Sequence, residues 1–128
     1  MSAAGISICG MSDLNTWYRN TEPWIAAAAH PKYGHPVSDR ELLDRLSPLL
    51  RAHALTAPLL LVHGLNDTNV PPTESQQMYD ALRALGRSVE LLAFGDDGHG
   101  IDKRENRAVL VRAMCDWLIA AFVPSRIS

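Results

Sequence analysis

The chain has 128 residues, 47% of them apolar and 20% charged, the balance of one globular domain around a single core. Its formal net charge of -2, with no basic run, gives no electrostatic basis for binding nucleic acid or an anionic membrane. No charged segment precedes an apolar core at the N-terminus, and no run approaches the roughly 18 apolar residues of a membrane span, so a soluble cytoplasmic protein is expected.

From Ala3 to Gly10, Ile6 and Ile8 alternate with small residues until glycine stops the run, which predicts a strand near Gly5–Cys9. Met11 to Lys32 carries Trp17, Tyr18 and Trp24 among polar residues, with Pro23 and Pro31 as breakers. Rings in such an excursion either pack it against a sheet or line a pocket, and both roles are open. Ser38-Asp39-Arg40-Glu41 is a capping-box pattern and predicts a helix from Asp39 to about Leu46, with Leu42, Leu43 and Leu46 on one face and Pro48 as its stop.

Ala57 to His63 is an unbroken apolar run entered at Pro58, as expected of a parallel strand, Leu59–His63, covered on both faces. A loop from Gly64 to Pro72 follows. Thr73-Glu74-Ser75-Gln76 repeats the capping pattern, and Met78, Ala81, Leu82 and Leu85 recur at helical spacing until Gly86, which predicts a crossover helix with a glycine cap. Val89–Phe94 is the third strand and ends in Gly95-Asp96-Asp97-Gly98-His99-Gly100. A last helix, about Arg104 to Phe122, places Leu110, Met114, Trp117, Leu118 and Ala121 on one face and ends before Pro124. The expected fold is α/β, with about three parallel strands and covering helices.

Two loops carry the chemistry. In open α/β sheets, functional groups gather at the carboxyl ends of strands, where Asp67 and His99 both fall. Asp67 has two readings: a loop carboxylate bonding its own backbone amides, or the acid that orients a catalytic imidazole. His99, between two glycines that expose it and let the loop turn, suits a general base near neutral pH. His63 reads as a structural residue at the strand exit, and His30, His35 and His53 as surface or loop residues. No second His or Cys stands at ligand spacing, so no metal is expected. Asp96, Asp97 and Asp102 lack the acidic alternation and terminal Glu of a calcium loop. Cys9 and Cys115 are too few for a disulfide framework and lie in apolar segments, so both are expected to be buried, reduced thiols.

His63-Gly64-Leu65-Asn66-Asp67-Thr68-Asn69-Val70-Pro71 resembles the H-G-x-x-D-x-x-V-P pattern of the prolyl oligopeptidase (S9) family of serine peptidases, and Gly98-His99-Gly100 resembles its G-H-G. The resemblance runs from Gly5 to the last helix. It implies a partial α/β-hydrolase fold, the chain being the C-terminal portion of a catalytic domain, and an activity on peptide or amide bonds with Asp67 and His99 as acid and base and no cofactor. It also implies that residues 11–32 lie between the family's sixth and seventh strands.

The family's nucleophile motif, G-x-S-x-G, does not occur in the 128 residues. Ser7 falls inside a strand, Ser12 in a loop, and Cys9 at the end of a strand, where a buried thiol is inert. No nucleophile is therefore assigned. A peptide or acyl-peptide substrate is expected only if an N-terminal part completes the site. The strand Gly5–Cys9 is expected to leave an edge open to self-association or to a complementary fragment. The alternative is a non-catalytic remnant serving as an interaction or structural module.

Overall fold

The computed structural model describes residues 3–122. Its three apolar runs pair in parallel, in the order β1 (Gly5–Ile8), β2 (Leu59–Gly64), β3 (Val89–Phe94). Ile8 stands opposite Val62 and Gly64 opposite Phe94, so the carboxyl ends of the strands lie together. The central strand is β2, which explains its unbroken apolarity: it is covered on both faces.

Side chains alternate across the sheet with a period of two. One face carries Leu60, Val62 and Phe94 against Leu110, Met114 and Trp117 of α5 (Arg104–Phe122). The other carries Leu61 and Val89 against Met78 and Leu82 of α4 (Thr73–Ala84) and Ala52 of a 3₁₀ segment, Pro48–Ala54. A third cluster forms beside the strand ends, where α1 (Leu14–Asn20), α2 (Pro23–Tyr33) and α3 (Arg40–Leu46) bury Leu14, Trp17, Tyr18, Ala29 and Leu43 with Val70. The excursion is thus helical and has its own core.

Several local expectations change. The first strand stops at Ile8, because Cys9 turns the chain with a φ of 53°. Pro23 opens α2, as its fixed φ favours, but Pro31 lies within it. Pro31 sits in the last turn and has no N–H to donate to the carbonyl four residues back, so α2 gives up one helical bond there. Neither capping box forms. Asp39, not Ser38, precedes α3, and its carboxylate accepts from the His35 amide at 2.7 Å. At α4 the preceding residue is Pro72, and the Gln76 side chain turns along the helix, its Nε2 donating to Asp80 Oδ1 at 2.9 Å. Of the three leucines on α3 only Leu43 is buried. Leu85 and Leu118 are exposed, and so is Cys115, contrary to the buried thiol expected there. The expected stop at Pro124 lies outside the described residues.

Gly86 closes α4 with a φ of 72°, its amide donating to the Arg83 carbonyl at 3.0 Å, as a glycine cap should. Among the described residues β1 pairs with β2 alone, leaving its other edge open beside the exposed Ile8. No helix among them is long and apolar enough to cross a membrane.

Candidate active site

The turn after β2 and the loop after β3 are tied by their backbones. The Leu65 amide donates to the Phe94 carbonyl and the Asn66 amide to the Asp97 carbonyl, each at 2.9 Å. Gly64 sits where they cross. A Cβ built there would lie 2.2 Å from the Gly98 carbonyl oxygen and 2.5 Å from that of Asp97, closer than any side chain tolerates. The glycine of His63-Gly64 is therefore required by the passage of the His99 loop. Gly98 and Gly100, by contrast, have no positive φ, so the loop does not turn on their conformational freedom.

Asp67 bonds its own loop with one oxygen and an imidazole with the other. Oδ1 accepts from the amides of Asn69 (3.0 Å) and Val70 (2.9 Å), closing the loop on itself. Oδ2 lies 2.9 Å from His99 Nδ1. The Asp67 side chain is fully buried, whereas that of His99 is 49% exposed. An ionised carboxylate only accepts, so Nδ1 carries the hydrogen and Nε2 of the neutral ring keeps a basic lone pair. Among the described residues Nε2 has no hydrogen-bond partner. An imidazole oriented in this way can take a proton from a hydroxyl and return it to a leaving group.

The loop bearing His99 is braced from α5. Asn106 Nδ2 donates to Asp96 Oδ1 (2.8 Å) and Asp97 Oδ2 (2.7 Å), and Asp97 Oδ1 accepts from the Asp102 amide (3.2 Å). Asp96 also meets Lys103 at 3.0 Å, and the Asn106 amide first and Lys103 second hold its carboxyl below its ordinary value. The Asp96–Asp97 pair thus serves the loop's own bracing. Nothing in the sequence singled out Asn106.

Beside His99 opens a cavity of about 400 Å³, walled by Met11, Trp17, Ile25, Tyr33 and Val70. Trp17 is both core and wall: it is buried, and its Nε1 donates to the Asn69 carbonyl at 2.8 Å, pinning the Asp67 loop to α1. Tyr18 is core, with its hydroxyl on the Gly34 carbonyl at 2.7 Å. Trp24 is 71% exposed at the cavity, and the exposed Lys32 also lines it. The turn from β1 into α1 is held by Glu74, a wholly buried carboxylate whose Oε1 accepts from the Ser12 and Asp13 amides, each at 3.0 Å. Its other oxygen accepts from Thr16 Oγ1 and from Gln77 Nε2. In the sequence Glu74 has no role of its own, only a place inside the Thr73–Gln76 pattern.

Other candidates resolve as follows. Cys9, His63 and Asp67 offer donor atoms within 4.8 Å of one another, the only such group of three among the described residues. Both nitrogens of His63 are already committed, to the Val70 carbonyl and the Ser75 hydroxyl, so the ring offers a metal no lone pair. Burial pushes the Cys9 thiol up from its ordinary value and the neighbouring Asp67 and Asp97 carboxylates add to this, against an opposing backbone contact with Gly64. A protonated, buried thiol is a poor nucleophile. Ser12 spends its hydroxyl on the Glu74 carbonyl at 2.6 Å. His35 and His53 are exposed, and His30 is half-buried on α2.

The profile of the prolyl oligopeptidase family matches residues 3–124. Dipeptidyl aminopeptidase BIII of Pseudoxanthomonas mexicana is 36% identical over 109 residues, an alignment that covers 81% of this chain and 16% of that protein. Among solved structures, the acylaminoacyl peptidase of Pyrococcus horikoshii superimposes with a TM-score of 0.85 at 28% identity, over 98% of this chain and 21% of that one. A puromycin-hydrolyzing peptidase of Mycobacterium tuberculosis reaches 0.88 at 24% identity, over 95% of this chain and 19% of that one, a likeness of fold. The chain therefore spans less than a quarter of the length of each.

Proposed function

Since this chain belongs to the prolyl oligopeptidase family, we propose that it supplies the acid, Asp67, and the base, His99, of a site that hydrolyses peptide or amide bonds. The observation that carries this reading is the 2.9 Å contact between a fully buried carboxylate and a half-exposed imidazole at adjacent strand ends. His99 Nε2 takes the proton of an attacking hydroxyl, Asp67 stabilises the imidazolium that forms, and the proton passes to the departing amine. The apolar cavity beside His99 suits an uncharged side chain of a peptide or acyl-peptide substrate.

The nucleophile and its oxyanion donors come, on this reading, from residues outside the 128, because no G-x-S-x-G is present among them. These residues then form the acid–base portion of a catalytic domain and do not hydrolyse peptides alone. A cytoplasmic setting is part of the proposal and agrees with two free thiols. A non-catalytic interaction module is the competing reading, favoured by the missing motif together with the open edge of β1.

The test reads the in-frame sequence preceding the codon for Met1 and expresses any polypeptide so extended. A G-x-S-x-G there, with fluorophosphonate labelling and turnover of an aminoacyl anilide, is the expected result. Turnover by the 128-residue chain itself, abolished in His99→Ala, overturns the claim that the nucleophile lies elsewhere.

A further inference from the structure

His63 is almost wholly buried at the end of β2 and has polar partners on both sides of its ring. Nε2 lies 2.7 Å from the Val70 carbonyl oxygen and 3.4 Å from Asp67 Oδ2, and Nδ1 lies 2.6 Å from Ser75 Oγ. These partners fix the tautomer. A carbonyl oxygen can only accept, so Nε2 carries the hydrogen; Nδ1 of the neutral ring is then an acceptor, and the Ser75 hydroxyl donates to it. Ser75 is buried in the first turn of α4, so it has no water with which to exchange that role.

Val70 is the residue through which this matters. Its amide donates to Asp67 Oδ1 at 2.9 Å while its carbonyl is held by His63, so the ring grips the residue that grips the acid. His63 Nε2 also lies 3.4 Å from Asp67 Oδ2, the oxygen that receives the His99 hydrogen, so the ring packs against that oxygen while its own hydrogen serves the Val70 carbonyl. We propose that His63, locked as its Nε2-protonated tautomer by the Val70 carbonyl while Ser75 serves its other nitrogen, is a positioning residue that sets where Asp67 presents Oδ2 to His99. Its importance for turnover rests on the reading of Asp67 and His99 as acid and base. The bonding pattern itself does not. Leucine in this place would fill the space without a donor, leaving the Val70 carbonyl buried and unpaired and the loop free to relax. Glutamine retains an N–H donor and an acceptor on one planar group, so it can serve both partners.

The test uses the 128-residue chain with ¹⁵N-labelled histidine. Long-range ¹H–¹⁵N correlations are expected to give His63 as the Nε2-protonated tautomer, and an Nδ1-protonated ring overturns the proposal whatever the variants do. In Ser75→Ala the Nε2-protonated tautomer is expected to persist, because the Val70 carbonyl still requires that hydrogen; a mixture of tautomers contradicts the lock. The low-field Nδ1 proton of His99 is expected to persist in His63→Gln and to vanish in His63→Leu. Its persistence in His63→Leu reduces His63 to core filling and refutes the positioning role. Should His63→Leu fail to fold, the wild-type tautomer and Ser75→Ala still decide. A correct tautomer in a chain whose extended form shows no hydrolysis sinks the catalytic reading alone.

Discussion

His99 Nδ1 lies 2.9 Å from Oδ2 of Asp67, an oxygen that is free to receive it because Oδ1 already takes the amides of Asn69 and Val70. One carboxylate both builds its loop and orients the imidazole, and substitutions separate the two tasks. Asp67→Asn keeps an oxygen for the two amides and is expected to cost less than about 1 kcal/mol of stability. Asp67→Ala strands both donors in a buried place and is expected to cost about 2–3 kcal/mol. Urea unfolding of the two variants checks this, and equal losses would mean that the loop does not depend on Oδ1.

Gly64→Ala is expected to disrupt the site without touching either of its polar residues. The added Cβ meets the backbone of Gly98 and Asp97, which cannot rotate away as a side chain could. Overpacking of this kind costs about 1–3 kcal/mol or more. The loop carrying His99 should shift, with loss of the hydrogen bond to Asp67. A crystal structure of the variant with both loops in place would contradict this.

These two sites show how much the sequence discloses. Strand β2 was legible because a central parallel strand must be apolar throughout, and Asp67 and His99 because they stand at strand ends within recognisable patterns. What Glu74 and Asn106 do was hidden, since each bonds groups far along the chain or on another element and leaves no periodic trace. The helices of residues 14–33 were likewise missed. Their polar residues mask short helices whose apolar side chains pack on one another and on Val70 more than on the sheet.

The two thiols should differ sharply in chemistry. Cys115 is exposed and is expected to react readily with iodoacetamide, whereas Cys9 is buried, its thiol pushed up by burial and the nearby carboxylates, and is expected to react only on unfolding. The sign for stability follows from linkage. The unfolded thiol ionises near its ordinary value, about 8.5, while the folded one holds its proton to higher pH. Its contribution to stability is therefore complete below the unfolded value and is lost as pH rises through the folded one. Denaturation at pH 7 and pH 9.5 should show a smaller alkaline loss in Cys9→Ala than in the parent, and an equal loss would refute this.

Self-association of the 128-residue chain is a further expectation. The outer edge of β1 is unpaired among the described residues, with Ile8 exposed beside it, and an open edge of this kind templates pairing with another strand. Light scattering at micromolar concentration should give a mass above that of the monomer, reduced by Ile8→Lys. A stable monomer in the parent chain would contradict the expectation.

The central claim, that Asp67 and His99 act as one acid–base unit, is tested most directly by a double-mutant cycle on the polypeptide extended in frame to include its nucleophile. The quantity is kcat/KM for an aminoacyl anilide in the parent, Asp67→Asn, His99→Ala and the double variant. Removing a member of such a unit costs on the order of 10⁴-fold, and removing the second adds little, because the members do not act separately. The account predicts losses of that order in each single variant and nearly the same loss in the double. Two independent losses that multiply, or a single variant with parental kcat/KM, would contradict it.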